Sequence, residues 1–376
     1  MDKCINIIAL SVPYPANYGG IIDIYCKIKA LRAIGVKIIL HCFEYERPPA
    51  RELDVLCEDV YYYKRRTGWR ANLSFLPYNV YSRKHPGLIK NLLGNNYPIL
   101  FEGLHSCYYI NDKRLSGRFK VYRESNIEHD YYRMLAKSCT EVLKKAFFFI
   151  ESWRFKRYQQ VIKQADLTLT VSMADTEYLQ RKFPGKRIEF MTSFHPNDEV
   201  TSVPGQSDFI LYHGKLSVVE NEQAALYLIK HVFCKLNCTC IIAGMDPSVR
   251  LQNAVALYRH IRLEANPSEE KMMALLKEAQ VHLLVTFQET GLKLKLLNSL
   301  FVGRYIVVNK AMLTGSGLDP LCHIANTPEE MIAACTRLLT KPYTQEEIDR
   351  KTQYLIPAYS NKQQAEKLIR MIYEEK

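Results

Sequence analysis

The feature that most constrains the fold of this chain is an alternation of short apolar runs with longer amphipathic stretches. In the first half, strand-like runs lie at 7–12, 37–42, 97–102, 119–123 and 167–171, with helical patterns between them. Strands that alternate with helices are typical of a mostly parallel sheet with helices on both faces. The first half therefore predicts one doubly wound α/β domain.

The alternation starts again at residue 208. Strand-like runs follow at 208–213, 239–244, 260–264, 281–286 and 305–309, and a long amphipathic helix is predicted at 361–375. A polar stretch with proline and glycine, 200–207, separates the halves and is the best linker in the chain. We therefore predict two tandem Rossmann-like domains, at 1–203 and 204–357, and a C-terminal helical segment at 358–376.

The charge is unevenly distributed. The chain carries 51 Lys+Arg against 39 Asp+Glu, and the first 200 residues hold 31 of these bases and 21 of the acids. A basic first half favours anionic partners, which include nucleic acid, a membrane surface and a phosphorylated substrate. No recognition motif accompanies the basic residues, so nucleic acid is the weakest of these.

The compartment is predicted from the cysteines and the apolar runs. Eleven cysteines, an odd number without framework spacing, suit a reducing cytoplasm. The apolar N-terminus is short and lacks a cleavage pattern, and no apolar run approaches the roughly 20 residues of a membrane span. We predict a cytoplasmic chain, and the cysteine cluster at 234–240 is predicted to be core rather than a metal site.

Candidate site residues follow strands, where parallel α/β sheets bind ligands. The loop PYPANYGG (13–20) ends with Gly19 and Gly20 at a predicted helix start, which fits either a close approach to an anion or sugar or a simple tight turn. His105 closely follows the strand YPILFE. It is either a substrate-contacting histidine or a structural one.

The segment RESNIEH (123–129) is unusually polar for a loop behind a strand. Asn126, Glu128 and His129 can bind a hydroxylated ligand, such as a glycan acceptor. The alternative is a helix N-cap with solvated charges.

Two lysine-containing segments of the second half predict an anion site. LYHGKL (211–216) sets Gly214 and Lys215 directly behind a strand, an arrangement suited to a diphosphate. QETGLKLKLLNSL (288–300) places Lys293 and Lys295 among leucines, where a buried lysine is costly unless an anion meets it. A helix that starts near Gly291 would aim both backbone donors and lysine charge at that anion.

These residues resemble a known family. GLKLKLLNSL (291–300) resembles the G-x-K-x-K-x-L-E-A-M segment of family 4 glycosyltransferases with the GT-B fold. The segments YHGKLSVVEN, IIAGMDPS, DLTLTVSMAD and FHPN are similar to further family segments in the same order, and RESNIEHDYY resembles an element of a bacterial subgroup that makes surface polysaccharides. The resemblance implies two Rossmann-like domains facing a central cleft, with the C-terminal helix packing back on the N-terminal domain.

The resemblance also implies roles for individual residues. His105 and Glu289 would be catalytic residues that contact the donor sugar, and Asn126, Glu128 and His129 would line the acceptor side or the cleft. The donor nucleotide would be bound by Gly19, Gly20, Gly214, Lys215, Gly291, Lys293, Lys295 and Asn298. Two positions depart from the pattern: Asn298 stands where the family has a second glutamate, and Ser125 where the subgroup often has histidine.

The activity implied is that of a retaining glycosyltransferase without a metal or other cofactor. It would move a sugar from a nucleoside diphosphate sugar to a glycan or lipid-linked acceptor in surface polysaccharide synthesis, with lysines and a helix N-terminus in place of a cation. Two alternatives remain: a sugar-nucleotide epimerase of the same fold, and a non-catalytic scaffold subunit, which the departure at Asn298 favours.

The basic, aromatic stretch KKAFFFIESWRFKRYQQVIK (144–163) has two interpretations. It can be a helix that rests on an anionic membrane on the cytoplasmic face, where a lipid-linked acceptor would lie. It can equally be a core helix with a solvated basic face. The sequence leaves both open.

Overall fold

The computed structural model describes residues 3–17, 19–72, 74–139, 141–287 and 294–374. These residues form two compact units. The N-terminal unit contains the chain up to Phe194 and the segment from Asn361 onward, and the C-terminal unit contains the chain from His195 to Ser360.

The first division lies nine residues before the boundary predicted after residue 203, and the second lies three residues after the boundary predicted after residue 357. The segment after Phe194 packs within the C-terminal unit, where the Thr201 amide donates a 2.8 Å hydrogen bond to the Phe301 carbonyl. At the other boundary, the Tyr359 hydroxyl donates to the carbonyl of Ser316. The linker composition therefore marks a stretch that is already part of the second unit.

The described strands of the N-terminal unit form one seven-stranded parallel sheet. They are β1 (Cys4–Ile8), β2 (Lys37–Glu44), β3 (Asp59–Lys64), β4 (Ile99–Glu102), β5 (Lys120–Glu124), β6 (Leu167–Thr170) and β7 (Ile188–Phe190). Their spatial order is β3-β2-β1-β4-β5-β6-β7. The order reverses between β1 and β4, so the carboxyl ends of these strands flank a topological switch point.

The C-terminal unit has a second parallel sheet, six-stranded in the described residues. Its strands are β8 (Phe209–His213), β9 (Thr239–Gly244), β10 (Ile261–Ala265), β11 (Val281–Leu284), β12 (Tyr305–Val308) and β13 (His323–Ile324). The order is β10-β9-β8-β11-β12-β13, which places the switch point between β8 and β11.

Helices alternate with the strands along both units. Those before residue 195 are α1 (Gly19–Ala33), α2 (Trp69–Asn72), α3 (Tyr78–Tyr81), α4 (Pro86–Leu92), α5 (Glu128–Ser138), α6 (Val142–Tyr158) and α7 (Met173–Lys182). The later ones are α8 (Val219–His231), α9 (Val249–Ala256), α10 (Glu269–Glu278), α11 (Leu294–Val302), α12 (Lys310–Leu313), α13 (Pro328–Leu339), α14 (Gln345–Tyr359) and α15 (Asn361–Tyr373). The predicted α/β class with two doubly wound domains is confirmed.

The core of the N-terminal unit lies on both faces of its sheet. Successive strand residues point to opposite faces, so Ile5 and Ile7 join one buried cluster while Ile8 joins the other. The first cluster also contains the inner side of α15, including Leu368 and Ile372. The final helix therefore completes the N-terminal unit, which is the arrangement that the resemblance implies for it.

Candidate functional site

His105 lies at the carboxyl edge of the N-terminal sheet, just beyond β4. Gly103 follows β4 with φ +71°, a conformation that favours glycine, and turns the chain into a 3₁₀ helix at Leu104–Tyr109. The His105 side chain is 16% exposed, and its ring meets the edge of Phe155 at 5.3 Å between centroids. Burial, with smaller effects of Arg83 and Arg65, holds the pKa of His105 well below its usual value.

Glu128 faces His105 from the next strand connection. It is the first residue of α5, it is buried, and its Oε2 lies 3.7 Å from Nε2 of His105. Burial raises the pKa of Glu128 to about 8, although the Arg83 guanidinium acts in the opposite direction. Near pH 7 the structure thus sets a protonated carboxyl opposite a neutral imidazole, and both can hydrogen-bond uncharged hydroxyl groups. We call Arg83, His105 and Glu128 the N-terminal site.

His129 and Asn126 lie close in sequence but have different surroundings. His129 is buried in α5, with Nε2 3.4 Å from the Tyr178 hydroxyl and 3.7 Å from Oδ1 of Asp130. Burial lowers the pKa of His129 to about 4. Asn126 is partly exposed in the short loop after β5. Their predicted contact with an acceptor stays a prediction.

Glu124 is a neighbouring acid that sequence reasoning did not select. It is the last residue of β5 and is fully buried. Burial, reinforced by the nearby Glu128, raises the pKa of Glu124 well above its usual value. The sequence contained one indication, because Glu124 is an acid within the polar segment 123–129. An acid at the exposed end of a strand would show the same pattern.

A buried network of charged side chains lies at the carboxyl edge of the N-terminal sheet. Lys27 of α1 contacts Asp23 Oδ2 at 3.0 Å and Glu102 Oε1 at 2.6 Å. Arg123 of β5 donates to the carbonyls of Met191 and Thr192, both at 2.7 Å. Because each charge has partners, the network holds α1, β4 and β5 in fixed positions.

Gly19 and Gly20 begin α1, as predicted. A Cβ added to Gly20 would have no atom within 4 Å, so the helix start is open on this side. The structure therefore leaves room at this position for a ligand or for a larger side chain, and the predicted role of both glycines stays a prediction.

In the C-terminal unit, two loops approach each other closely behind β8 and β9. The Gly214 amide donates a 3.1 Å hydrogen bond to the Ala243 carbonyl, and the Leu216 amide donates to Met245 at 2.8 Å. A Cβ on Gly244 would lie 1.8 Å from the Gly214 carbonyl oxygen, so this contact requires glycine. The loop that carries Lys215 is thereby held at the carboxyl edge of the sheet.

Lys295 reaches this loop from the first turn of α11. Its Nζ donates to Asn221 Oδ1 at 2.9 Å and lies 5.0 Å from the ring centre of Tyr212. Asn221 in turn donates to the Lys215 carbonyl at 3.0 Å. The helix N-terminus, the lysine and the loop thus come together beside β8, which suits an anionic ligand. We call Gly214, Lys215, Asn221 and Lys295 the C-terminal site.

Two further hydrogen bonds connect α11 to its surroundings, one to β8 and one to the segment that enters the C-terminal unit. Nε2 of His213 lies 2.8 Å from the Ser299 hydroxyl, and burial holds the pKa of His213 well below its usual value. Asn298 is partly buried, and its Oδ1 accepts a 2.8 Å hydrogen bond from Nδ2 of Asn197. That oxygen of Asn298 therefore already has a protein partner. Glu289, Gly291 and Lys293 lie outside the described residues.

A metal centre was not predicted for this chain. Within the described ranges, no group of three or more His, Cys, Asp or Glu side chains has an arrangement that can hold a metal ion. All eleven cysteines are free thiols. Of the cluster predicted to be core, Cys240 is buried on β9, whereas Cys234 and Cys238 are only partly buried.

Comparison with known proteins places this geometry in a fold family. No protein-family model matches the chain. A Klebsiella pneumoniae protein described as an "Uncharacterized 44.6 kDa protein in cps region" is 25% identical over 336 residues, which cover 84% of this chain and 85% of that protein. Staphylococcus aureus TarM, solved as a mutant with UDP bound, superposes with a TM-score of 0.66 at 10% identity over 99% of this chain and 100% of TarM.

A glycosyltransferase from Rickettsia africae matches over the full length of both chains, with a TM-score of 0.65 and 12% identity. The chain has the GT-B fold. The predicted resemblance to GT-B glycosyltransferases is therefore confirmed, and it extends over essentially the whole chain. In this chain the N-terminal site and the C-terminal site each lie at the carboxyl edge of one of the two Rossmann-like sheets.

Proposed function

We propose that this protein is a glycosyltransferase that moves a sugar from a nucleoside diphosphate sugar to a glycan or lipid-linked acceptor in surface polysaccharide synthesis. The observation that carries the proposal is the C-terminal site, where Lys295 and a helix N-terminus meet a glycine loop at the edge of a GT-B sheet. The Klebsiella relative in a cps region supports the polysaccharide assignment, and TarM, which was solved with UDP, supports UDP as the first nucleotide to test.

The chemistry of the transfer explains why the site is basic. The bond from the anomeric carbon to the donor phosphate breaks, and its electron pair stays on the leaving diphosphate. An acceptor hydroxyl oxygen forms the new bond, and its proton passes to an oxygen of the leaving diphosphate or to water. The leaving group gains negative charge, which Lys215, Lys295 and the amides at the start of α11 can stabilise. We propose that these groups replace a metal ion and that the anomeric configuration is retained.

The N-terminal site suits the sugar side of the reaction. The neutral pair of His105 and Glu128 offers hydrogen bonds to hydroxyl groups without adding net charge. We propose that it contacts the transferred sugar or the acceptor. We place the reaction in the cytoplasm, where nucleotide sugars are available.

Lys295 gives the test of the donor site. We expect UDP or another nucleoside diphosphate, without added metal and in the presence of EDTA, to raise the thermal unfolding temperature of the wild type, because a ligand that binds only the folded state stabilises it. Lys295→Met keeps the aliphatic stem but removes the charge, and we expect it to weaken that nucleotide about tenfold or more. Thermal shift titrations with UDP, GDP, ADP and CMP measure both effects.

Lys230→Ala is the matched control, because Lys230 is an exposed lysine of α8 in the same unit. It should titrate like the wild type. Transfer and slow donor hydrolysis are then assayed with sugars of the nucleotide that binds. Conversion of the donor sugar to an epimer without an acceptor would instead identify an epimerase.

A non-catalytic scaffold is the second candidate, and one observation favours it. Asn298, which stands where the resembled family has glutamate, already accepts a hydrogen bond from Asn197. A scaffold subunit predicts that no nucleotide raises the unfolding temperature and that Lys295→Met behaves like the wild type. Nucleotide binding that depends on Lys295 contradicts it.

A further inference from the structure

Helix α6 carries a stripe of large apolar side chains on its outer face. Val142 and Leu143 are 79% and 86% exposed, and Phe149, Ile150 and Trp153 are each about half exposed at 46%, 50% and 52%. These positions share one side of a helix with 3.6 residues per turn. The stripe is far more apolar than the solvent-exposed face of a helix usually is.

The opposite face of α6 is occupied by its own unit. Glu151, Ser152 and Phe155 are buried, and the Ser152 hydroxyl donates a 2.7 Å hydrogen bond to the carbonyl of His129 in α5. The core interpretation of this helix therefore holds only for the inner face. The outer aromatic residues are not core residues.

Basic side chains border the stripe. Lys145, Lys156 and Arg157 are exposed, and the Arg157 guanidinium lies 4.9 Å from the ring centre of Trp153. The only acid within α6 is Glu151, which is buried against Arg154 at 2.8 Å. The exposed face of α6 thus combines apolar and positively charged groups, and an exposed acid, Glu141, stands at its N-cap, where it pairs with Lys144 at 2.8 Å.

A loop beside α6 adds another exposed aromatic residue. Phe75 is 91% exposed. Its loop is tied to α6 on both sides, by a 2.7 Å hydrogen bond from Arg154 to the Asn72 carbonyl and a 2.8 Å hydrogen bond from the Tyr78 amide to Glu151. The loop therefore lies against α6, and Phe75 projects from it into solvent.

We infer that this surface, the outer face of α6 with Phe75, docks on an anionic lipid bilayer. Interfacial helices have this composition, with aromatic and aliphatic residues toward the acyl chains and lysine or arginine toward the head groups. Each basic residue near an anionic surface adds attraction that zwitterionic lipid lacks. A second copy of this chain is a poorer occupant, because pairing the surface with itself would oppose like charges.

The helix lies on the bilayer rather than crossing it. Among the described residues, no helix has the length and apolar character needed to span a membrane. Docking through α6 would place α5, which begins with Glu128, behind α6 as seen from the bilayer, since the two helices are joined through Ser152 and His129 on the inner face of α6. The inference goes beyond the proposed function and does not depend on any transfer activity.

Vesicle binding tests the inference. The full-length chain is sedimented with vesicles of phosphatidylcholine alone and with vesicles of phosphatidylcholine and phosphatidylglycerol, at low and high salt. We expect selective binding to the anionic vesicles that weakens with salt, and about a tenfold or greater loss of partitioning in Lys145→Ala/Lys156→Ala and in Phe149→Ser/Trp153→Ser. Lys230→Ala and Leu257→Ser, exposed positions of the C-terminal unit, are the matched controls.

A second readout locates the contact. The chain has two tryptophans, so a Trp69→Phe background leaves Trp153 as the sole indole. Its emission should shift to shorter wavelength with anionic vesicles. Absence of vesicle binding, or binding that the α6 variants leave unchanged, overturns the inference. Self-association in light scattering that Phe149→Ser/Trp153→Ser abolishes, without vesicle binding, also overturns it and assigns the surface to a second copy.

Discussion

At the scale of single residues, the N-terminal site depends on the protonation of Glu128. Burial raises the pKa of Glu128 from 4.5 to about 8 in the folded chain. Between these two values the unfolded chain ionises this carboxyl and the folded chain keeps its proton, so rising pH favours unfolding. The contribution of protonated Glu128 to the free energy of unfolding is therefore fully present below pH 4.5 and is lost as the pH rises to about 8.

The corresponding prediction is that Glu128→Gln stabilises the protein at alkaline pH. Glutamine has a similar shape and no proton to lose, so the variant should unfold at a higher temperature than the wild type at about pH 9. A pKa shift of this size corresponds to about 5 kcal/mol at most. Thermal unfolding followed by circular dichroism between about pH 4 and pH 9 measures the difference, which should vanish at the acid end.

Glu177→Gln, an exposed position on α7, controls for the loss of a surface carboxylate and should follow the wild-type profile. A Glu128→Gln variant less stable than the wild type at alkaline pH would mean that Arg83 stabilises the ionised Glu128 carboxylate in the folded chain and that the pKa of Glu128 is not raised.

At the scale of elements, most strand positions followed from composition, but the position of β1 was wrong: it was predicted at 7–12 and is observed at Cys4–Ile8. The strand at 239–244 is observed with the predicted bounds, and 167–171 and 305–309 differ by one residue. Three strands were not predicted: β3, β7 and β13. All three are edge strands, and β3 is a partly exposed tyrosine-rich run. Such strands form because a neighbouring strand pairs with them, and their sequences lack a clear apolar pattern.

Helix α6 also shows where prediction from the sequence stops. The aromatic and basic segment at 144–163 had two open interpretations, and the structure shows that α6 has one buried face and one exposed apolar face. Phe155 is fully buried, whereas Trp153, two residues earlier, is half exposed. The difference arises because α5 packs on one side of α6, and a helical pattern rich in aromatic residues all round does not reveal which side has a partner.

The residues of the candidate sites could likewise be predicted from the sequence only in part. Loop glycines and lysines behind strands could be found from the chain, because strand ends are visible in the sequence. Asn221, which holds Lys295, lies 74 residues away in sequence, so that pairing could not be found. The burial that shifts the pKa values of Glu124 and Glu128 was equally invisible, since it depends on packing between distant elements.

The contact between the loops after β8 and β9 gives an element-scale prediction. Gly244→Ala would force a Cβ to within 1.8 Å of the Gly214 carbonyl, so one loop must move. We expect a loss of roughly 2 to 4 kcal/mol in the free energy of unfolding and weaker nucleotide binding, because the displaced loop carries Lys215. Urea unfolding and thermal shift titration measure the two effects.

Gly117→Ala provides the comparison, because a Cβ there would meet nothing within 4 Å. It should change the free energy of unfolding by less than about 1 kcal/mol. Equal stability of Gly244→Ala and Gly117→Ala would contradict the close approach of the two loops.

At the scale of the whole molecule, the chain enters the C-terminal unit after Phe194 and returns to the N-terminal unit at Asn361. The returning helix α15 buries Leu368, Ile369 and Ile372 against the cluster that contains α1. Leu368 is completely inaccessible to solvent. The last residues of the chain therefore stabilise a unit that begins with the first ones, although the whole C-terminal unit lies between them in sequence.

Leu368→Ala tests this dependence. A buried leucine truncated to alanine costs about 2 to 5 kcal/mol, so the variant should destabilise the N-terminal unit by that amount. Both tryptophans belong to this unit, so denaturant unfolding followed by tryptophan fluorescence reports on it, and circular dichroism reports on both units. Leu257→Ala, 78% exposed in the C-terminal unit, should leave both midpoints in place. If Leu368→Ala leaves the fluorescence midpoint unchanged, α15 contributes nothing to the N-terminal core; if fluorescence and circular dichroism midpoints fall together, the two units unfold as one.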